Sequence, residues 1–264
     1  MKTHRLVVIA TAVAAATAIS ASALGSGGPA PGAAPNQSVF APSGTIRYAA
    51  IAGGARTSVT AIRVRDGRIV RHRQLVGRFG VPVVANDGTT AGVSRDGRTL
   101  ALASYGTAGA TRFAVLGAHT FALRRIISLP GRWTFDAISP SARTMYLIQY
   151  VPGGRPLYHV RVYDLAAGRL LPRPVTDPHD PKGPMRGYPV SRATSPNGRW
   201  AYTLSRGGRE GSFVHALDTA RRAAVCVDLN REGTKLALRG NRLVVQGPGG
   251  PVATIDTRTM RLVS

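Results

Sequence analysis

One cysteine, Cys226, leaves no partner for an internal disulfide, so stability has to come from burial rather than cross-linking. Glutamate is almost missing: Glu210 and Glu232 are the only two, among 12 acidic residues in all. Most aspartates stand in turn-like contexts, which leaves few free candidates for catalysis by paired carboxylates. Lysine is equally scarce, with Lys2, Lys182 and Lys235 against 32 arginines. No Gly-x-Ser-x-Gly run occurs, which removes the nucleophile elbow of a serine hydrolase. No glycine-rich stretch carries the Gly-Lys-Ser/Thr ending of a phosphate-binding loop, and no cofactor is expected. Nothing in the pattern indicates a helix long enough to build a second domain.

What is abundant is positive charge. The formal net charge is +23, almost all of it arginine. An arginine-heavy balance alongside much Ala, Gly and Pro is also what a GC-rich coding bias produces, yet the charge acts whatever its origin. It draws polyanions through a field that salt screens, so salt-sensitive association with wall polymers or acidic glycans is expected. Aromatic residues make up 6% of the chain and are not interleaved with the basic clusters. That pattern argues against stacking single-stranded bases, so no specific nucleic-acid partner is expected.

The N-terminus reads as a secretory signal. Lys2, His4 and Arg5 form a basic head, Leu6 to Ile19 an apolar run, and Ala21-Ser-Ala23 a small-residue cleavage site. The run is shorter than the roughly 20 apolar residues a membrane span needs, so residues 1–23 are expected to leave and the mature chain to carry no transmembrane segment. Residues 24–36, rich in Gly, Pro and Ala without periodicity, read as a tether, and no cysteine follows the signal to take a lipid.

Five copies of a strand-turn-strand motif fill the rest. They read Ala41-Pro-Ser-Gly-Thr-Ile-Arg-Tyr48, Ser94-Arg-Asp-Gly-Arg-Thr-Leu-Ala101, Ser139-Pro-Ser-Ala-Arg-Thr-Met-Tyr146, Ser195-Pro-Asn-Gly-Arg-Trp-Ala-Tyr202 and, degenerate, Leu238-Arg-Gly-Asn-Arg-Leu-Val-Val245. Their turn residues, Gly44, Gly97, Ala142, Gly198 and Asn241, are 53, 45, 56 and 43 positions apart. A second turn follows at Asp66, Gly117, Asp164, Asp218 and Asp256, offset by 22, 20, 22, 20 and 15 residues. Asp suits that place because its carboxylate accepts a hydrogen bond from backbone two residues on. A period near fifty in an all-β pattern predicts a β-propeller of four-stranded antiparallel blades, five in number. The blades are expected at about 37–76, 77–130, 131–176, 177–229 and 230–264, within one domain spanning 37–264. Insertions at 77–90 and 177–189 can conceal irregular strands. The ring is expected to close by packing alone or by residues 30–38 pairing with the fifth blade.

The motif at 195–202 and its relatives at 41, 94 and 139 resemble the WD40-like repeat of TolB-like and lactonase-like propellers. The resemblance covers the repeats as a pattern and implies a propeller fold. It marks a structural hairpin and implies no activity. The Trp-Asp dipeptide and Gly-His of true WD40 repeats are lacking.

Candidate chemistry is sparse. Asp177, His179 and Asp180 gather in the loop joining the third and fourth blades and could ligate a divalent cation if other blades supplied more ligands. The competing reading is a proline-punctuated surface turn. A lactonase-type hydrolase would need a ring of acidic ligands that the repeats do not show. The loops between second and third strands are glycine-rich, and Arg155, Arg206 and Arg209 there could converge on an anionic group. A basic stripe of Arg63, Arg65, Arg68, Arg71 and Arg73 reads as a solvated outer edge or a polyanion dock. Cys226 reads as a small core residue, and His119, His159 and His215 as structural, with His119 and His215 at or beside strand ends. The sequence therefore points to a secreted, non-catalytic binding or scaffold propeller for a protein or an anionic glycan or envelope polymer. The alternative is a metal-dependent lactonase-type hydrolase with its site at the channel mouth.

Overall fold

The computed structural model describes residues 32–34, 37–104, 109–153, 157–179, 183–207 and 211–263. A short strand β1 (Ala33–Ala34) precedes a first sheet of β2 (Ser38–Phe40), β3 (Ile46–Gly53), β4 (Arg56–Arg63) and β5 (Ile69–Val76). The second comprises β6 (Phe79–Pro82), β7 (Thr99–Ser104), β8 (Ala110–Gly117) and β9 (Leu123–Pro130). The third has β10 (Trp133–Ile138), β11 (Thr144–Tyr150), β12 (Leu157–Asp164) and an outer position in two pieces, β13 (Arg169–Leu170) and β14 (Met185–Arg186). The fourth is β15 (Tyr188–Thr194), β16 (Trp200–Arg206), β17 (Ser212–Asp218) and β18 (Ala223–Leu229). The fifth is β19 (Lys235–Arg239), β20 (Arg242–Gly247), β21 (Gly250–Asp256) and β22 (Arg261–Leu262). All pairings are antiparallel and, apart from β1 with β6 and β14 with β12, join sequence neighbours, as the predicted all-β blades require.

The repeated motif is a hairpin built the same way each time. Gly44, Gly97, Ala142 and Gly198 each donate their N–H, at 2.8 Å, to the carbonyl three residues earlier. Ser94 donates its hydroxyl to Asp96 Oδ1 at 2.5 Å and accepts the Thr99 N–H at 3.0 Å, and Ser195 repeats this with Asn197 at 2.7 Å and Trp200 at 2.9 Å. The turn residue needs a left-handed backbone. Gly198 sits at φ 71° and Ala142, lacking glycine's freedom, is held at 52°. The second turn is also uniform where Asp leads it: Asp218 Oδ1 accepts the N–H groups of Ala220 and Arg221 at 3.0 and 3.1 Å.

Alternation along the strands buries both faces of the inner strands and produces four apolar layers, each between successive sheets. Tyr48 and Val59 meet Leu102 and Leu116 between the first and second, and Phe113 meets Trp133 and Met145 between the second and third. Tyr146 and Val162 meet Leu217, and Leu204 and Val214 meet Leu243 and Val245, in the remaining two. Among the described residues no such layer joins the fifth sheet to the first, and Phe40 and Ile51 on the first sheet are 55% and 49% exposed.

Among the described residues, 32–34, 37 and 38 make no pairing with the fifth sheet, one of the two closures the sequence suggested. Ala33 lies opposite Pro82 and Ala34 opposite Val81, so β1, inside the expected tether, extends the second sheet instead. Ser38 is only four positions beyond Ala34, about 14 Å at most, so β2 in the first sheet confines β1 to nearby partners. The insertion after residue 77 breaks the inner strand of the second sheet. Phe79 and Gly80 pair with Ser104 and Ala103, the chain departs, and Val93 returns opposite Leu100. The excursion crosses to the fourth sheet, where Asn86 and Asp87 donate N–H groups to the Pro189 and Val190 carbonyls at 2.9 and 3.1 Å.

Candidate functional site

Three cavities run in series where the inner strands converge. The outermost, about 400 Å³, opens beside the motif hairpins and is walled by Phe40, Pro42, Val93, Arg95, Ile138 and Ser195 among others. It shares Thr90, Ala91, Ile138 and Thr194 with a middle space of about 90 Å³. That space shares Val84, Phe135, Asp136 and Arg192 with an inner one of about 40 Å³ between the third and fourth sheets.

Asp136 and Arg192 form the partition, and sequence reading missed both. Asp136 lies in β10 where the register shifts between Phe135 and Ala137, and Arg192 follows a similar shift between Pro189 and Ser191 in β15. Such irregularities re-aim side chains, here inward from strands that line the axis. Arg192 Nη1 donates to Asp136 Oδ1 at 2.6 Å and to Thr203 Oγ1 at 2.6 Å, and Nη2 to the Asp136 carbonyl at 2.7 Å. Both side chains are under 8% exposed. A carboxylate in the otherwise apolar run Trp133–Ile138 was the available signal, because an acid inside a buried strand needs a partner.

Around the inner cavity stand Tyr150, Tyr158, Ser205 and His215. Asp136 Oδ2 and His215 Nε2 are buried there without a hydrogen-bond partner among the described residues. A space of 40 Å³ takes about three or four waters at about 10–15 Å³ each, and those two atoms are what such waters would satisfy. Burial pushes the His215 pKa down, Asp136 opposing and Arg192 assisting, so the ring is neutral at pH 7. Burial likewise raises the hydroxyls of Tyr158 and Tyr150, so both remain protonated donors.

His215 is thus a mid-strand core residue, opposite Cys226, and not at a strand end as expected. Its Nδ1 lies 3.6 Å from Cys226 Sγ, and Cys226 is half-buried on β18.

The expected metal triad is only partly in view, since Asp180 lies outside the described residues. Asp177 Oδ1 accepts the His179 N–H at 2.8 Å and lies 3.1 Å from His179 Nδ1, while Oδ2 accepts the Cys226 N–H at 2.7 Å. Burial works against the ionised Asp177, yet the Cys226 and His179 amides outweigh it and hold the carboxyl below the usual range. Both oxygens are therefore already engaged in fixing the loop to β18.

Of the three loop arginines, Arg155 and Arg209 also lie outside the described residues. Arg206 ends β16, at the opposite end of that strand from the motif hairpin, and donates Nη2 to the Gly233 carbonyl at 3.2 Å, with Glu232 at 3.8 Å. The basic stripe is divided: Arg63 ends β4, Arg65 and Arg68 stand in the turn, and Arg71 and Arg73 share one face of β5. Arg63 and Arg65 flank Asp66 at 3.0 and 3.6 Å.

No family model matches the chain, and no curated protein matches it in sequence. Solved structures do match in fold. The Cps50 (Swd1) β-propeller domain of Myceliophteria thermophila aligns with TM-score 0.52 at 13% identity, covering 84% of this chain and 66% of that one. A putative TolB from Agrobacterium tumefaciens aligns with TM-score 0.48 at 12% identity, covering 84% and 70%. BamB from Moraxella catarrhalis gives 0.45 at 15%, covering 85% and 62%. The chain spans just under two thirds of the Cps50 domain's length. Its five antiparallel sheets, packed face to face in chain order, and its likeness to that domain make it a β-propeller in fold.

Proposed function

We propose that the chain is a secreted, non-catalytic binding or scaffold propeller that holds a protein or an anionic component of the cell envelope, with recognition through the loop face bearing Arg155, Arg206 and Arg209. The outer cavity, which opens beside the motif hairpins at the opposite end of the strands from Arg206, supports only the non-catalytic part of this reading. Its described walls mix apolar side chains with Arg95 and the hydroxyls of Thr90, Thr194 and Ser195, and they present no carboxylate, imidazole or thiol. The Ser195 hydroxyl there is committed to Asn197. Such a surface offers contact area without an acid, base or activated nucleophile. The inner cavity, though polar, has room for only a few waters, and its two charges neutralise each other. Asp177 accepts the His179 and Cys226 amides, which gives it a structural part in holding its loop to β18.

The test is capture on immobilised residues 24–264, which keep β1, from the host's envelope and extracellular fraction at physiological salt. A discrete component retained, then lost when Arg155, Arg206 and Arg209 become Ala, supports binding and the loop face together. Loss only with Arg95→Ala and Phe40→Ser would keep the binding reading and move it to the outer cavity. Retention of nothing, or only of polymers that high salt removes, would sink it.

A further inference from the structure

We propose that β5 is a docking edge to which an acidic, extended segment of a partner protein adds as a further strand. The surface is separate from the loop face and does not depend on it. β5 ends the first sheet and, among the described residues, pairs only with β4, so alternate backbone N–H and C=O groups along its far side point outward. It is eight residues long without Pro or Gly, and Ile69 through Gln74 are exposed on both faces. The other outer strands differ. β13 and β22 have two residues each, β9 ends in Pro130 and buries Ile127 and Leu129, and β18 buries Ala224 and Leu229.

The register specifies the occupant. Arg71 stands opposite Ala61 and Arg73 opposite Val59, which places both guanidinium groups on one face, while His72, opposite Thr60, is on the other with Gln74 and Val76. Among the described residues neither Arg71 nor Arg73 has a carboxylate within 4.0 Å. Asp66, the one acid between Arg63 and Arg73, is taken by Arg63. A second copy adding here would set like charges against each other, which destabilises a cross-strand pair. A strand with Asp or Glu at alternate positions meets Arg71 and Arg73 with opposite charge, and apolar residues between them meet Val76 and the exposed stem of His72. Main-chain bonds then supply affinity and the alternation supplies selectivity.

The experiment uses the full chain and two labelled eight-residue peptides of one composition, one alternating Glu with Val and one with Glu and Val in separate blocks. Fluorescence anisotropy at physiological salt is expected to show the alternating peptide binding about tenfold more tightly. Arg71→Glu with Arg73→Glu should weaken it by about the same factor, and Arg206→Ala should leave it unchanged. N-methylation of alternate peptide amides should abolish binding without touching the protein. Equal binding of alternating and blocked peptides, or survival of binding after N-methylation, would show bulk charge attraction and overturn the proposal.

Discussion

Arg192 and Asp136 meet at 2.6 Å across the boundary between the fourth and third sheets, both almost fully buried. Removing one partner leaves the other charge buried without its counter-ion, so Asp136→Ala and Arg192→Met should each cost about 3–5 kcal/mol. Asp136→Leu combined with Arg192→Met should cost much less than the sum of the single changes, because no charge is then stranded. Urea unfolding of the singles and the double measures this directly. Additive costs would mean the pair contributes as two separate packing groups.

The Tyr146 hydroxyl donates to the Thr219 carbonyl at 2.8 Å, again from one sheet to the next, and burial raises its pKa to about 12. Tyr146→Phe keeps the ring in the apolar layer and strands the carbonyl, so a loss of about 1–2 kcal/mol is expected. Chemical denaturation should register it as a lower midpoint at unchanged slope.

Stability should fall as the solution is acidified from pH 7. His215 is lowered from its ordinary 6.5 by burial, and His159 moves the same way through burial and Arg161. The unfolded chain takes up protons below about pH 6.5 while the folded chain resists, so the stabilisation present above that pH is lost as pH drops toward the folded values. His215→Gln should flatten the decline between pH 6.5 and 5 in a series of thermal melts, whereas an unchanged slope would assign it elsewhere.

Two backbone positions should respond in opposite directions. Ala142 holds φ 52° where Gly44, Gly97 and Gly198 stand in three other copies, so Ala142→Gly should stabilise by about 0.5–1 kcal/mol. Gly92 has φ 117°, and a Cβ there would lie 2.5 Å from the Ala101 carbonyl oxygen, so Gly92→Ala should cost about 2 kcal/mol or more. Calorimetric melting temperatures of the two variants give both signs in one experiment.

The hairpins were legible because their causes are local. Ser195, Asn197 and Gly198 close a turn with one another, and Asp218 caps the next with amides two and three residues on, so the pattern on the page is the pattern in space. Much of the candidate site was not legible. Asp136 and Arg192 are 56 residues apart, and each looks unremarkable in its own strand. His215 stands at the centre of β17, and its burial comes from facing the cavity between the third and fourth sheets, which no neighbouring residue in the sequence signals.

By itself, then, the sequence determined the repeat, the turn chemistry, the strand alternation and hence an all-β propeller of five four-stranded sheets. Only the tertiary structure decided that Ala33–Ala34 extend the second sheet, that residues 83–93 cross to the fourth, and that a buried ion pair divides the axial cavities. The physical reason is range. Turn and strand preferences act over a few residues and repeat with the sequence, whereas burial, register shifts and ion pairing depend on which sheets meet, and no local pattern encodes that meeting.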